Sequence, residues 1–213
     1  MNISKNDMTL YLVTDRRCLK KGEKLADAVE TALKNGVTCV QLREKNASYR
    51  EFLSLAMELK AVCRKYGVPF IVNDNVEIAA AVDADGVHIG QEDMSIAQAR
   101  ALLGHNKIIG TSAHNVTEAL KAAADGADYI GCGAVFGSET KTDATFLGVD
   151  GLGEICRRVN IPVVAIGGIT AENTPLLAGT GTDGIAVVSA ILAQQDVAHA
   201  TQTMLTLARK IKE

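Results

Sequence analysis

Little in this chain points to nucleic acid, membrane or secretion. Charge is nearly balanced, 22 Lys and Arg against 25 Asp and Glu for a formal net charge of −3, so the basic footprint of a nucleic-acid binder is missing. No run of like charges stands out. The apolar runs are short and broken by Gly or charged residues, too short for a membrane span. The first residues, Met1 to Asp7, are polar and carry no signal-peptide core, so a cytoplasmic location is expected. Cys18, Cys39, Cys63, Cys132 and Cys156 are odd in number and scattered. No two have metal-knuckle spacing, and several fall in or beside apolar patterns, as buried free thiols do. There is no Ser-His-Asp order, no metal-binding His pair and no activated-Cys signature. No linker or composition shift divides the chain, so one domain over residues 1–213 is expected.

What is present is alternation. Short apolar runs fall at 10–13, 39–42, 69–72, 86–89, 107–110, 129–132, 163–166 and 184–188. Several are apolar throughout, as in parallel strands buried on both faces. Between them lie helical patterns such as 25–34, 49–66, 96–103, 116–124 and 152–159. Ser48-x-x-Glu51, Ser95-x-x-Gln98 and Asn115-x-x-Glu118 carry capping-box signatures, and Gly36, Gly67 and Gly126 stand near helix ends. Three echoes, Ala84-Asp85-Gly86-Val87, Ala127-Asp128-Tyr129-Ile130 and Thr182-Asp183-Gly184-Ile185, each lead into a strand. Eight strands in strict alternation predict a parallel α/β fold, a compact (β/α)8 TIM barrel. A doubly wound sheet would take fewer strands and a Gly-rich first loop, whereas the first strand here runs into Thr14-Asp15-Arg16-Arg17.

In such a barrel the loops after the strands form the site, and the polar residues collect there. Gln41, Arg43 and Lys45 alternate, which places an amide and two cations on one face, with Leu42 and Glu44 on the other. An anionic ligand such as a phosphate or diphosphate would partner them; the alternative is a solvated strand end with Arg43 paired to Glu44. Gly167-Gly168 lets backbone amides approach a ligand closely, and Val188-Ser189 turns into a helix whose N-terminus favours an anion. Asp74 and Asp93 follow neighbouring strands. Each contact between them and a diphosphate at about 4 Å would cost roughly 4 kcal/mol at an effective dielectric of 20. A Mg²⁺ ion, held by one or two carboxylates plus phosphate oxygens, removes that conflict. His88 reads as a satisfied neutral histidine of the barrel. His114 is a weaker candidate for orienting a ligand. Lys141 lies in a polar, Thr-rich loop, which favours a phosphate contact over a Schiff base.

The ordered set Gln41-Leu42-Arg43-Glu44-Lys45, Val72-Asn73-Asp74, residues Asp85 through Asp93, Ser112-Ala113-His114, Ala127-Asp128-Tyr129-Ile130-Gly131, Glu139-Thr140-Lys141, Ile166-Gly167-Gly168-Ile169 and Val188-Ser189-Ala190-Ile191 resembles the motifs of the thiamine phosphate synthase family. The resemblance runs from the first strand to the last. It implies a barrel transferase that joins a hydroxymethylpyrimidine diphosphate to a thiazole phosphate, giving thiamine phosphate and pyrophosphate. It further implies that Gln41, Arg43, Lys45, Asn73 and Lys141 hold the pyrimidine diphosphate, with Leu42 and Glu44 in the same motif. Asp74 and Asp93 would hold Mg²⁺, and Ser112 would contact the pyrimidine side. Ser138, Glu139 and Thr140, with the backbone at Gly168, Val188 and Ser189, would hold the thiazole phosphate. Arg43, Lys45, Lys141 and Ser112 would act in catalysis. One departure is Phe136-Gly137-Ser138, where the family commonly carries Pro and Thr after the aromatic residue. The expected partners are small-molecule substrates, with no nucleic acid and no membrane, in a monomer or homodimer. A thiazole tautomerase and a non-catalytic phosphate-binding barrel are the competing readings.

Overall fold

The computed structural model describes residues 3–137 and 146–213. Eight parallel strands, β1 (Leu10–Val13), β2 (Cys39–Leu42), β3 (Phe70–Asn73), β4 (Gly86–Ile89), β5 (Ile108–Ala113), β6 (Tyr129–Cys132), β7 (Val163–Ile166) and β8 (Gly184–Val187), pair in chain order and close into a barrel between β8 and β1. Around it run α1 (Leu25–Lys34), α2 (Tyr49–Tyr66), α3 (Val76–Ala81), α4 (Ile96–Leu103), α5 (Val116–Ala124), α6 (Gly148–Arg158), the short α7 (Ser189–Leu192) and α8 (Val197–Lys210). The expected (β/α)8 barrel is therefore the observed one. Among the described residues, no helix is long and apolar enough to cross a membrane.

The uniformly apolar strands make sense because each has two buried faces. Leu10, Leu12, Val40, Leu42, Val72, Val87, Ile109 and Ile185 belong to the core between strands and helices. Tyr11, Val13, Cys39, Ile71, Ile108, Tyr129, Val164 and Ala186 form a second cluster inside the barrel. Space there is matched between strands: a Cβ at Gly110 would stand 2.1 Å from the Tyr129 ring, so the large ring requires the glycine beside it.

The Asp echoes have a common task. Asp85 donates its N–H to Phe70 O at 3.0 Å and accepts the Phe70 N–H on Oδ2 at 2.9 Å. Asp128 does the same to Ile109 at 2.8 and 2.7 Å, and Asp183 to Val163 at 2.8 and 2.9 Å. Thr38 completes the set, with its N–H on Leu10 O and its Oγ1 accepting the Leu10 N–H, both at 2.9 Å. Each even strand is thus preceded by a residue that brackets the start of the odd strand before it. Backbone groups that the barrel floor would otherwise leave unpaired are satisfied.

Helix starts follow the sequence with two variations, one at Asn115, where the Glu118 carboxylate accepts from the His114 N–H and from Asn115 Nδ2. Ser95 and Gln98 form the full reciprocal capping box. Ser48 accepts from the Glu51 N–H, but the Glu51 carboxylate turns away to Arg16.

Candidate active site

At the C-terminal ends of the strands, the loops after β1 to β4 are tied to one another. Gln41 points into the barrel, 4% exposed, and its Nε2 donates to Tyr11 Oη at 2.9 Å. β2 ends at Leu42, so the strand alternation expected through Arg43 and Lys45 stops one residue after Gln41. The Arg43 N–H donates to Thr14 Oγ1 at 3.0 Å, which hangs it on the loop after β1. Among the described residues, no side chain accepts from the Arg43 guanidinium. That charge does reach Asp15, whose carboxyl is held below the usual range, first by the hydrogen bond from Arg17 and to a lesser degree by Arg43.

Glu44 is paired with Arg16 rather than with Arg43. Arg16 grips it through Nε at 2.9 Å and Nη2 at 2.8 Å, and reaches Glu51 Oε1 at 2.6 Å. This two-pronged contact has the fixed geometry of a guanidinium–carboxylate pair and fastens the loop after β1 to the loop after β2 and to the start of α2. Leu42 is fully buried in the layer between barrel and helices, away from the barrel interior.

Lys45 Nζ lies 2.5 Å from Asp74 Oδ2, with 52% and 29% of the two side chains exposed. A pair this open to water contributes about 1 kcal/mol or less, so a ligand can displace it at small cost. Asp74 adopts φ +62°, left-handed backbone that costs a residue with a Cβ on the order of 1 kcal/mol. Its N–H donates to His88 O at 2.8 Å, so β4 holds the turn that carries this carboxylate. Asn73, which ends β3, is buried. Asp93 follows β4, and its Oδ2 accepts the Gly90 N–H at 2.7 Å. β3 and β4 are adjacent. Among the described residues no third His, Cys, Asp or Glu joins these carboxylates to form a ready-made metal cluster.

A chain of polar groups crosses the barrel beneath this rim. Tyr11 Oη lies 2.8 Å from Tyr129 Oη, Tyr129 Oη lies 2.9 Å from His88 Nδ1, and His88 Nε2 lies 3.1 Å from Ser112 Oγ. The Ser112 carbonyl accepts from Gln91 Nε2 at 2.5 Å. His88 is therefore bonded at both ring nitrogens, in keeping with a satisfied barrel histidine. Desolvation pushes both phenol pKa values well up. His114 is held by Glu118, Nδ1 to Oε2 at 2.9 Å.

Across the rim, the loops after β6 and β7 lie together. Val135 N–H donates to Ile166 O at 3.0 Å and Phe136 N–H to Gly167 O at 2.9 Å. Gly167 and Gly168 have φ of +101° and +65°, and a Cβ at Gly168 would stand 2.2 Å from Gly137 O. Dihedral and contact both demand glycine. Asn173 Nδ2 donates to Gly168 O at 2.8 Å. Val188 caps α7, and among the described residues no group accepts from the N–H groups of Ser189 and Ala190 in its first turn, as at any helix start. Ser138, Glu139, Thr140 and Lys141 lie outside the described residues.

Reading the sequence does not single out Tyr11, Tyr129 or Arg16. The tyrosines look like ordinary core residues of apolar runs; the available signal is register, since Tyr11 falls on the same inward face as Cys39 and Gln41 across the β1–β2 pair. For Arg16 the signal is an arginine beside a first strand whose neighbour carries Glu44.

The family described as thiamine monophosphate synthase matches residues 10–191 of this chain. The thiamine-phosphate synthase of Ruminiclostridium cellulolyticum is 50% identical over 204 residues, covering 96% of this chain and 97% of that protein. That of Caldanaerobacter subterraneus subsp. tengcongensis is 48% identical over 208 residues, covering 97% of each. A solved structure, the thiamine phosphate pyrophosphorylase from Pyrococcus furiosus, superposes with a TM-score of 0.89 at 42% identity over 97% of this chain and 98% of that one. On sequence and fold together, along nearly its whole length, the chain belongs to the thiamine monophosphate synthase family.

Proposed function

We propose that this chain joins 4-amino-2-methyl-5-(diphosphooxymethyl)pyrimidine to 4-methyl-5-(2-phosphoethyl)thiazole, or its carboxylated form, to give thiamine phosphate and pyrophosphate. The chain is a transferase of thiamine biosynthesis, and the finer reading concerns how its rim would do the chemistry. One observation carries it: Arg43, with no described acceptor, shares the rim with the water-exposed Lys45–Asp74 pair and with Asp93. Cations that are so weakly engaged suit an anionic leaving group.

Asp74 and Asp93 fit a Mg²⁺ ion. They supply hard oxygen donors from the loops after adjacent strands, and two carboxylates, with no third His, Cys, Asp or Glu beside them among the described residues, suit an ion completed by substrate phosphate oxygens and water. When bound, that ion would neutralise charge on the diphosphate. The chain's own residues would do the rest. Gln41 and Ser112 would orient the aminopyrimidine, and Asn73 would lie alongside. The bond between the methylene carbon and the diphosphate oxygen breaks, with the electron pair leaving on oxygen. Arg43, Lys45 and Lys141 would stabilise that developing charge. The aminopyrimidine delocalises the positive charge left on the methylene carbon. The thiazole nitrogen lone pair then forms the new C–N bond, so this nucleophile needs no general base. Backbone amides at Gly168, Val188 and Ser189, with Ser138, Glu139 and Thr140, would hold the thiazole phosphate in line, which supplies the proximity gain. His88 and His114, both engaged with neighbouring side chains, are not needed as proton carriers.

A coupled pyrophosphate assay with both substrates and Mg²⁺ tests this. One pyrophosphate per thiamine phosphate, only with both substrates present, is expected. No release, or conversion of the thiazole phosphate alone, would overturn it. The chain is taken to act on small molecules without nucleic acid or membrane, and size-exclusion chromatography separates the monomer from the homodimer.

A further inference from the structure

We propose that Tyr11, Tyr129 and His88 form a one-way hydrogen-bond relay that sets which hydrogen-bonding face Gln41 and Ser112 present to a ligand. They are positioning residues for substrate selection, and the inference rests on the proposed pyrimidine-binding role of Gln41 and Ser112. The five groups form an unbroken line, Gln41 to Tyr11 to Tyr129 to His88 to Ser112, with links of 2.9, 2.8, 2.9 and 3.1 Å.

The Gln41 end, whose donor is an N–H, sets the direction of the proposed relay; the Tyr11–Tyr129 link and both His88 links can run either way in themselves. The Gln41 amide donates from Nε2 to Tyr11 Oη. Both tyrosines are buried phenols, each with one proton to give. Tyr11, having accepted from Gln41, gives its proton to Tyr129; Tyr129 in turn gives its proton to His88 Nδ1. A neutral imidazole with Nδ1 as acceptor carries its proton on Nε2, which then donates to Ser112 Oγ. The Ser112 hydroxyl proton is left to point elsewhere, as a donor. At the other end, no described group donates to Gln41 Oε1, so the relay leaves that atom as an acceptor. The two ends are therefore coupled. If Gln41 offers an acceptor, Ser112 offers a donor; reversing every link would exchange the two faces.

A 4-aminopyrimidine edge carries an N–H donor on its exocyclic nitrogen beside a ring-nitrogen acceptor, the complement of this pair. A 4-oxo analogue carries the opposite pattern. The relay thus lets Gln41 and Ser112 discriminate one from the other through three residues that need not touch the ligand. A mismatched face leaves buried polar groups unpaired, which is costly.

The test uses the full chain and needs two readouts. In 15N spectra of the imidazole groups without substrate, wild type is expected to show His88 as the neutral tautomer protonated at Nε2. Tyr129→Phe, which keeps the ring and removes the link, should move His88 toward a tautomer mixture; Tyr11→Phe guards against a folding defect in the first variant. In kinetics, Tyr129→Phe should raise KM for the pyrimidine diphosphate about tenfold, the loss of one net hydrogen bond, with KM for the thiazole phosphate within about twofold. Its discrimination against the 4-oxo analogue as a competitive inhibitor should fall by a similar factor. His88 protonated at Nδ1 in wild type, or a Tyr129→Phe protein with unchanged tautomer and unchanged discrimination, overturns the relay. The spectrum is read without turnover, so a wild type that releases no pyrophosphate would count against the proposed function and leave this test intact.

Discussion

At the N-terminal end of the barrel, Asp85, Asp128 and Asp183 each hold a backbone N–H and also face a cation, Lys60 at 3.5 Å, Arg100 at 2.7 Å and Lys5 at 2.9 Å. At the C-terminal end, Arg43 has no described acceptor, Asp74 sits in left-handed backbone against a half-exposed lysine, and two adjacent glycines hold positive φ. The same residue types thus serve two purposes. Where acids and bases complete each other and the backbone, they hold the barrel closed. Where they are left partly engaged on strained turns, they are available to a ligand. This division follows the general rule that barrel enzymes work at the C-terminal face and are stabilised at the other.

The comparison is broken most directly at the rim. Arg43→Ala and Asp93→Ala should each lower kcat/KM about 10²–10³-fold, the cost of removing a group aimed at developing charge. Their thermal midpoints should stay within a few degrees of wild type, by about the shift of an ordinary surface change. Steady-state kinetics beside a melting curve checks both; unchanged turnover in either variant places the leaving group elsewhere. Gly168→Ala should raise KM for the thiazole phosphate about tenfold, because the positive φ and the 2.2 Å approach to Gly137 O force the two loops apart at a cost of about 1–2 kcal/mol. At the floor the pattern should invert. Asp183→Ala leaves the buried Val163 N–H without its acceptor and should cost about 2 kcal/mol of stability by urea titration, with kcat per folded molecule unchanged.

The smallest effect is in pH. Asp15 ionises below its ordinary value, chiefly through its hydrogen bond with Arg17. A lowered folded pKa stabilises the native chain above the ordinary value, and that stability is lost as pH falls through the lowered one. Asp15→Asn should therefore flatten the fall of the thermal midpoint below about pH 4. Arg17 is 70% exposed, so the change is modest and shrinks further in salt.

Much of the barrel was legible because each strand is short and apolar on both faces. Five of the strand spans, 10–13, 39–42, 86–89, 129–132 and 163–166, agree with the structure end to end. The errors have local causes. β3 starts at Phe70 because Pro69 has no N–H to give. β5 continues through Thr111, Ser112 and Ala113, small and polar residues that look like a loop; Ser112 faces the barrel interior, where it meets His88, and Ala113 packs in the layer between strands and helices. α6 begins at Gly148, four residues before the apolar pattern, since Gly148, Gly151 and Gly153 hide its start. The short α3 and the terminal α8 were not singled out by their patterns. At the rim, motif order located the candidates, but local spacing does not reveal their partners. Glu44 answers Arg16 across 28 residues, and the polar line beneath the rim joins residues from β1, β2, β4, β5 and β6. Such pairings arise from closure of the barrel, which no window of sequence contains.

The most direct test of the central claim is a crystal of the protein soaked with pyrophosphate and Mg²⁺. The account predicts pyrophosphate at the C-terminal mouth beside Arg43 and Lys45, with Mg²⁺ bridging it to Asp74 and Asp93. Pyrophosphate bound only at the N-terminal face, or a rim ligand from which both carboxylates are turned away, would contradict it.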